Sequence, residues 1–285
     1  MSDFFEELIK TTLGYVISAT DSVFGKDGAK LQFGNSFLSL SNKLWGYLSL
    51  VAIGLTLIYF LIELNRKLAL EGGDFNMKSM FSPFLKLMIA IAILSQGATI
   101  FSTILDLNNS FVKEASSYDI TELDTGEATD GKYNILNDDQ REEFAKELAD
   151  KTSGLIVTVF ACVAMLLMYL ITLVLNLVWF YKACMFKIEF LWRIGITPIG
   201  LTDIYSGNNS NAIRWCKGTL ALAVYGMGLV VLPKLALVLM ADSFTLAVTG
   251  GFWNCLASIA SCIIAPLAAL GSASAVKQIS KEALG

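Results

Sequence analysis

Five runs of roughly twenty apolar residues, set apart by polar stretches, leave this chain few ways to fold. Each run is as long as a helix must be to cross a hydrocarbon core of about 30 Å. Inside lipid, only helices and closed barrels satisfy the backbone. The runs lie at about Leu44–Leu64, Phe84–Leu105, Thr152–Tyr181, Gly218–Met240 and Phe252–Ala273. Only 16% of the 285 residues are charged and 55% are hydrophobic, whereas a soluble domain carries about 25% charged residues. The chain therefore reads as all-α, a polytopic membrane protein with about five transmembrane helices. An amphipathic helix precedes them, and an interfacial or re-entrant helix follows the third.

Charge between the runs sets the expected orientation. The stretch 181–218 holds Lys182, Lys187, Arg193, Arg214 and Lys217, opposed only by Glu189 and Asp203. A basic block between two spans marks the cytoplasmic face. Arg66, Lys67, Lys78 and Lys86 mark the turn between the first two runs in the same way, and Lys277 and Lys281 mark the tail. These assignments agree on an outside N-terminus and an inside C-terminus. The acidic start MSDFFEELIK is unlike a secretory signal, so insertion is expected to rely on the internal spans.

Five segments follow. Residues 1–43 place Phe4, Phe5, Leu8, Ile9, Leu13, Val16 and Ile17 at helical spacing. That helix is too short and too polar to span, and suits an interface or a partner, if it does not simply cover its own bundle. Residues 44–105 hold the first two spans, the second started by Ser82 and Pro83 as N-cap and first helical residue. Residues 106–151 carry thirteen acidic side chains against five basic ones and read as an outer loop that ends in a helix, with Glu142/Lys146 and Glu147/Lys151 as i,i+4 pairs.

Residues 152–217 hold the third span, longer than a bilayer requires, and then the basic block. There Met185–Ile199 is apolar but interrupted by Lys187, Glu189, Arg193 and Gly195, which suggests a separate interfacial or re-entrant helix. Glu189 and Arg193 are spaced to pair on one face of it. Residues 218–285 hold the last two spans. Lys234, inside the fourth, is either a functional cation or a lysine that snorkels toward Asp242. In the fifth, Ala257, Ser261, Ala265, Ala269 and Ala273 recur every four residues, a stripe that permits close helix approach within one subunit or between subunits.

Absences narrow the chemistry. With no histidine, the chain lacks Ser-His-Asp and Cys-His catalysis and the usual zinc sites. The five cysteines show no CxxC spacing and read as small buried hydrophobes. No Walker A or dinucleotide fingerprint occurs. No enzyme activity and no cofactor is expected.

The block RIGITPIGLTDIYSGNNSNAIRWCKG, entered from one long span and left by another, resembles the TrbL-like polytopic inner-membrane component of bacterial type IV secretion and conjugation systems. The residues that carry the resemblance are Arg193, Gly195, Pro198, Asp203, Tyr205, Gly207, Arg214 and Lys217. They cover under a tenth of the chain, the five-span architecture nearly all of it, and the long soluble C-terminal extension of some members is missing. The resemblance implies a non-enzymatic, oligomeric subunit in the bacterial cytoplasmic membrane. It would help move DNA and protein and support pilus assembly, with separate ATPases and pilus components as partners. The basic block would then face those partners or the phosphates of passing DNA, mark topology alone, or lock to the bundle through Arg193 and Asp203. Two other readings stand beside it. One is a stand-alone small-solute transporter with Lys234, Gln96 and the 185–199 segment at a midplane site; the other is a toxin- or immunity-like membrane protein.

Overall fold

The computed structural model describes residues 3–4, 6–12, 14–15, 30–70, 77–117, 142, 146, 149–150, 154–202, 205, 210–248 and 252–283. These are helical apart from short turns, with no strand among them. Five long helices dominate: α1 (Asn35–Leu70), α2 (Met77–Ser117), α3 (Leu155–Leu201), α4 (Ser210–Val248) and α5 (Phe252–Ala283). Each contains a stretch long and apolar enough to cross a membrane. The all-α, five-span class is thus what the structure shows.

The helices outrun the apolar runs that announce them. The third span and the Met185–Ile199 segment are one continuous helix of 47 residues, about 70 Å at 1.5 Å per residue. Among the described residues, Met185–Ile199 is therefore not a separate interfacial helix. Glycine is tolerated inside a helix at about 1 kcal/mol, and Gly195 does not break this one. Pro198 falls three residues before its end. The second helix likewise starts at Met77, so Pro83 lies inside it and not at its first position. The fourth helix begins at Ser210, without a restart before Gly218. The fifth carries Lys277 and Lys281 on helix instead of on a loose tail.

Two compact units form. The first comprises Met1–Gln32, Phe111–Cys184 and Gly226–Val276; the second comprises Phe33–Ser110, Met185–Tyr225 and Lys277–Gly285. In the first unit, helical residues 6–12 bury Ile9 of the apolar set and also Thr12, which is not part of it, while Phe4 of that set is exposed. Tyr15 stacks on Tyr169 at 4.4 Å. Lys10 donates to Glu142 at 3.2 Å, and Lys146 reaches the other Glu142 oxygen at 3.6 Å, the i,i+4 pair expected there. Glu147 and Lys151, with residues 118–141, lie outside the described residues. Ala265, Ala269 and Ala273 are buried, so this part of the stripe serves the chain's own packing. Ser261 is half-buried and Ala257 exposed.

The second unit is built on the α1–α2 pair. Trp45 Nε1 donates to the Leu94 carbonyl at 3.2 Å, and its ring meets Phe101 at 5.1 Å. Gly97 makes this possible, since a Cβ there would overlap the indole. About two helix turns beyond Phe101, Asn109 clips the chain ahead of α1: its Oδ1 accepts from the Phe33 amide at 2.7 Å and its Nδ2 donates to the Phe33 carbonyl at 3.2 Å. Phe33 then packs among Phe37, Phe186 and Phe190, with Lys187 over its ring. At the far end of the pair, Lys86 donates to Glu63 at 3.3 Å.

Candidate functional site at the α3–α4 joint

Of the eight residues behind the resemblance, Arg193 enters a hydrogen-bonded joint where α3 ends and α4 begins, in the second unit. Arg193, two turns before the end of α3, crosses to α4. Its Nε donates to Thr219 Oγ1 at 3.1 Å, and its Nη2 reaches the Trp215 carbonyl at 3.4 Å. The guanidinium also lies over the Trp215 ring, 4.7 Å from the centroid. Trp215 answers in the other direction, Nε1 donating to Thr197 Oγ1 at 2.7 Å, while Thr197 donates to the Arg193 carbonyl at 2.7 Å. The loop of bonds is closed.

Two glycines let the helices approach. A Cβ on Gly218 would overlap the guanidinium, and one on Gly200 would come within 3.3 Å of the Trp215 ring. Buried cations survive only when paired and hydrogen-bonded, and a planar fork that also stacks is what arginine supplies and lysine does not. Glu189 makes no hydrogen bond to Arg193 in the joint. Its spacing suggests an ion pair with Arg193, but its carboxylate accepts from Lys277 of α5, whose ammonium also lies 5.8 Å from the Tyr225 ring centroid. The intrahelical pairing yields to a partner 88 residues away.

The other motif residues divide. Gly195 packs on Leu44 of α1, where a Cβ would sit 3.4 Å from the leucine Cβ. Pro198 is buried. Tyr205, in the turn after α3, is 1% exposed and packs with Leu87, Ala90, Phe60 and Ile91. Its ring meets Phe60 edge-on at 6.4 Å. Arg214 and Lys217 are exposed on the first turns of α4 and stay outside the network. Asp203 and Gly207 lie outside the described residues.

One contact disagrees with the charge pattern. Counting basic residues puts Arg193 on the same membrane face as Arg66. Yet Gly195 rests on Leu44, about 28 Å up α1 from Glu63 at 1.5 Å per residue. Arg193 is level with the end of the α1 span opposite Arg66. The guanidinium is engaged inside the joint.

Lys234, in the first unit, has a defined task. Its ammonium donates to the Ser116 carbonyl at 2.7 Å and the Ala115 carbonyl at 3.0 Å. It caps the end of α2, where the last carbonyls lack helical partners and the helix dipole favours a cation. Gln96 is exposed on α2 in the second unit. Among the described residues, no group of three potential metal ligands gathers.

Sequence reading misses Trp215, Thr197, Thr219 and Gly218, which do most to build the joint. The spacing of Trp215 and Thr219 at i,i+4, flanking a glycine, is the only available trace of them. Comparison of the chain with family models, curated proteins and solved structures finds no match.

Proposed function

We propose that this chain is a non-enzymatic membrane subunit of a type IV secretion or conjugative transfer machine, contributing to the translocation channel and to pilus assembly. The observation that supports the reading is that four of the eight motif residues, Arg193, Gly195, Pro198 and Tyr205, are buried or engaged within the second unit. Arg193, Gly195, Pro198 and Tyr205 resemble the TrbL-like family's pattern in sequence; Arg193 is hydrogen-bonded, Gly195 and Tyr205 are packed against α1 and α2, and Pro198 is buried. Side chains engaged in packing the chain's own helices suit a scaffold subunit, which must hold shape while partners act on it. In this reading the membrane is the bacterial cytoplasmic one, and ATPases and pilus subunits are the partners. The exposed Arg214 and Lys217 are the cations left to meet partners or the phosphates of passing DNA.

The stand-alone transporter loses two of its supports. The 185–199 segment is unbroken helix, and Lys234 caps α2. The deciding experiment is a cross-linking pull-down from native membranes through a C-terminal tag. Recovery of a secretion ATPase, a coupling protein or pilus subunits is the expected result. Recovery of self-oligomers alone, from cells with a working transfer system, overturns the proposal.

A further inference from the structure

Six threonines are buried among the described residues, and five of them satisfy their hydroxyls inside their own helix, the usual resort of a threonine there. Thr12, Thr56, Thr197 and Thr219 donate to the carbonyl four residues back and Thr202 to the one three back, at 2.7 to 3.0 Å. Thr172 is the exception. It is 3% exposed, and its Oγ1 has no hydrogen-bond partner among the described residues. One turn further along α3, the buried amide nitrogen of Asn176 has none either. A polar atom buried in this way carries its full desolvation penalty.

The N-terminal segment lies on that side of α3. Tyr169, Thr172 and Asn176 follow the i, i+3, i+7 spacing and share one face of the helix. Helical side chains lean toward the helix start, so Asn176 leans over Thr172 and Thr172 over Tyr169. Tyr15 stacks on Tyr169, with ring centroids 4.4 Å apart. Closer to the N-terminus Ile9 and Thr12 are buried, while Phe4, Glu7 and Thr11 are exposed. The polar anchor of the segment is weak. Lys10 pairs with Glu142 at 3.2 Å, but the two side chains are 42% and 45% exposed, and ion pairs so exposed contribute little.

Docking of the segment therefore sets two effects against each other. It hides Ile9 and a tyrosine ring, and it strands a hydroxyl and an amide. Lifting would release apolar surface and give both polar groups access to partners, so the docked and lifted arrangements are drawn toward balance.

We infer that the N-terminal segment is a displaceable cover over a polar strip of α3, Tyr169–Thr172–Asn176, docked in this structure and able to lift so that the strip meets water. The inference stands on packing within the first unit and does not rest on the secretion reading.

The test uses the full chain with its five native cysteines replaced. A single cysteine at Thr172→Cys or Asn176→Cys reports on the strip. One at Met240→Cys, fully buried in the same unit, reports on general loosening. The rate of N-ethylmaleimide labelling in native membranes follows the access and ionisation of the thiol. Ile9→Glu places a charge where the segment packs and should speed labelling at both strip positions on the order of tenfold, since a buried unpaired charge is expelled. Lys10→Glu sets two carboxylates against each other and should speed it about threefold. Labelling at Met240→Cys should stay slow in both variants. Unchanged rates at Thr172→Cys and Asn176→Cys in both variants overturn the cover, because the bundle itself would then close that face. An equal rise at Met240→Cys also overturns it, because the segment would then support the whole unit. Two opening variants and two reporters guard against a defect at any one position.

Discussion

Arg193 and Lys234 are both cations inside long apolar helices, and the structure uses them differently. Arg193 ties two helices side by side: its fork reaches Thr219 and the Trp215 carbonyl while its flat face covers the indole. Lys234 holds the end of another helix, its ammonium directed at the last carbonyls of α2. The first task needs planarity and a direction; the second needs only a positive point within reach. An ionisable residue in a span invites a functional reading, but its geometry decides whether the charge is held for structure or left for solute. In both cases here the described partners are the chain's own.

That contrast sets an order of expected effects. Arg193→Ala removes two hydrogen bonds and the ring contact and should cost about 3 kcal/mol, seen as a lower Tm in detergent and reduced abundance in membranes. Arg193→Lys should recover less than half of the loss, since an ammonium cannot reproduce the fork; full recovery would show that charge alone holds the joint. Gly218→Ala pushes a Cβ into the guanidinium and should cost about 2 kcal/mol. The double variant with Arg193→Ala should lose less than the sum, because the clash partner is gone.

Lys234→Met should be milder, about 1 kcal/mol, and local. Hydrogen exchange should quicken over the last turn of α2 with little change at the joint. Lys234→Arg should be tolerated, the reverse of the arginine case. The smallest effect concerns the ion pair of the first unit. Lys10, and then Lys146, hold the Glu142 carboxyl below its ordinary 4.5. A depressed acid stabilises above its unfolded value and loses that contribution as pH falls through the folded one. Protection of helical residues 6–12, corrected for intrinsic exchange, should therefore be flat from pH 8 to 6 and decline only below about 4.5.

The spans were legible because apolar length is a one-dimensional property, and lipid admits one answer to it. Helix ends were not. The charges within 185–199 look like interruptions when their only visible neighbours are four residues away. They cease to be interruptions once Glu189 meets Lys277 and Arg193 meets Thr219. Tyr205 was legible as part of a pattern but not as a core residue, since its neighbours come from two helices much earlier in the chain. The alanines of α5 were legible as a packing face, and the buried Ala265, Ala269 and Ala273 show that the face points inward.

The unbroken length of α3 has a consequence for its main chain. Over its 47 residues, only the first four N–H groups, the last four carbonyls and the carbonyl facing Pro198 lack a partner within the helix. The interior backbone therefore asks nothing of its surroundings, lipid or protein, and the cost of exposing polar main chain falls on the two ends.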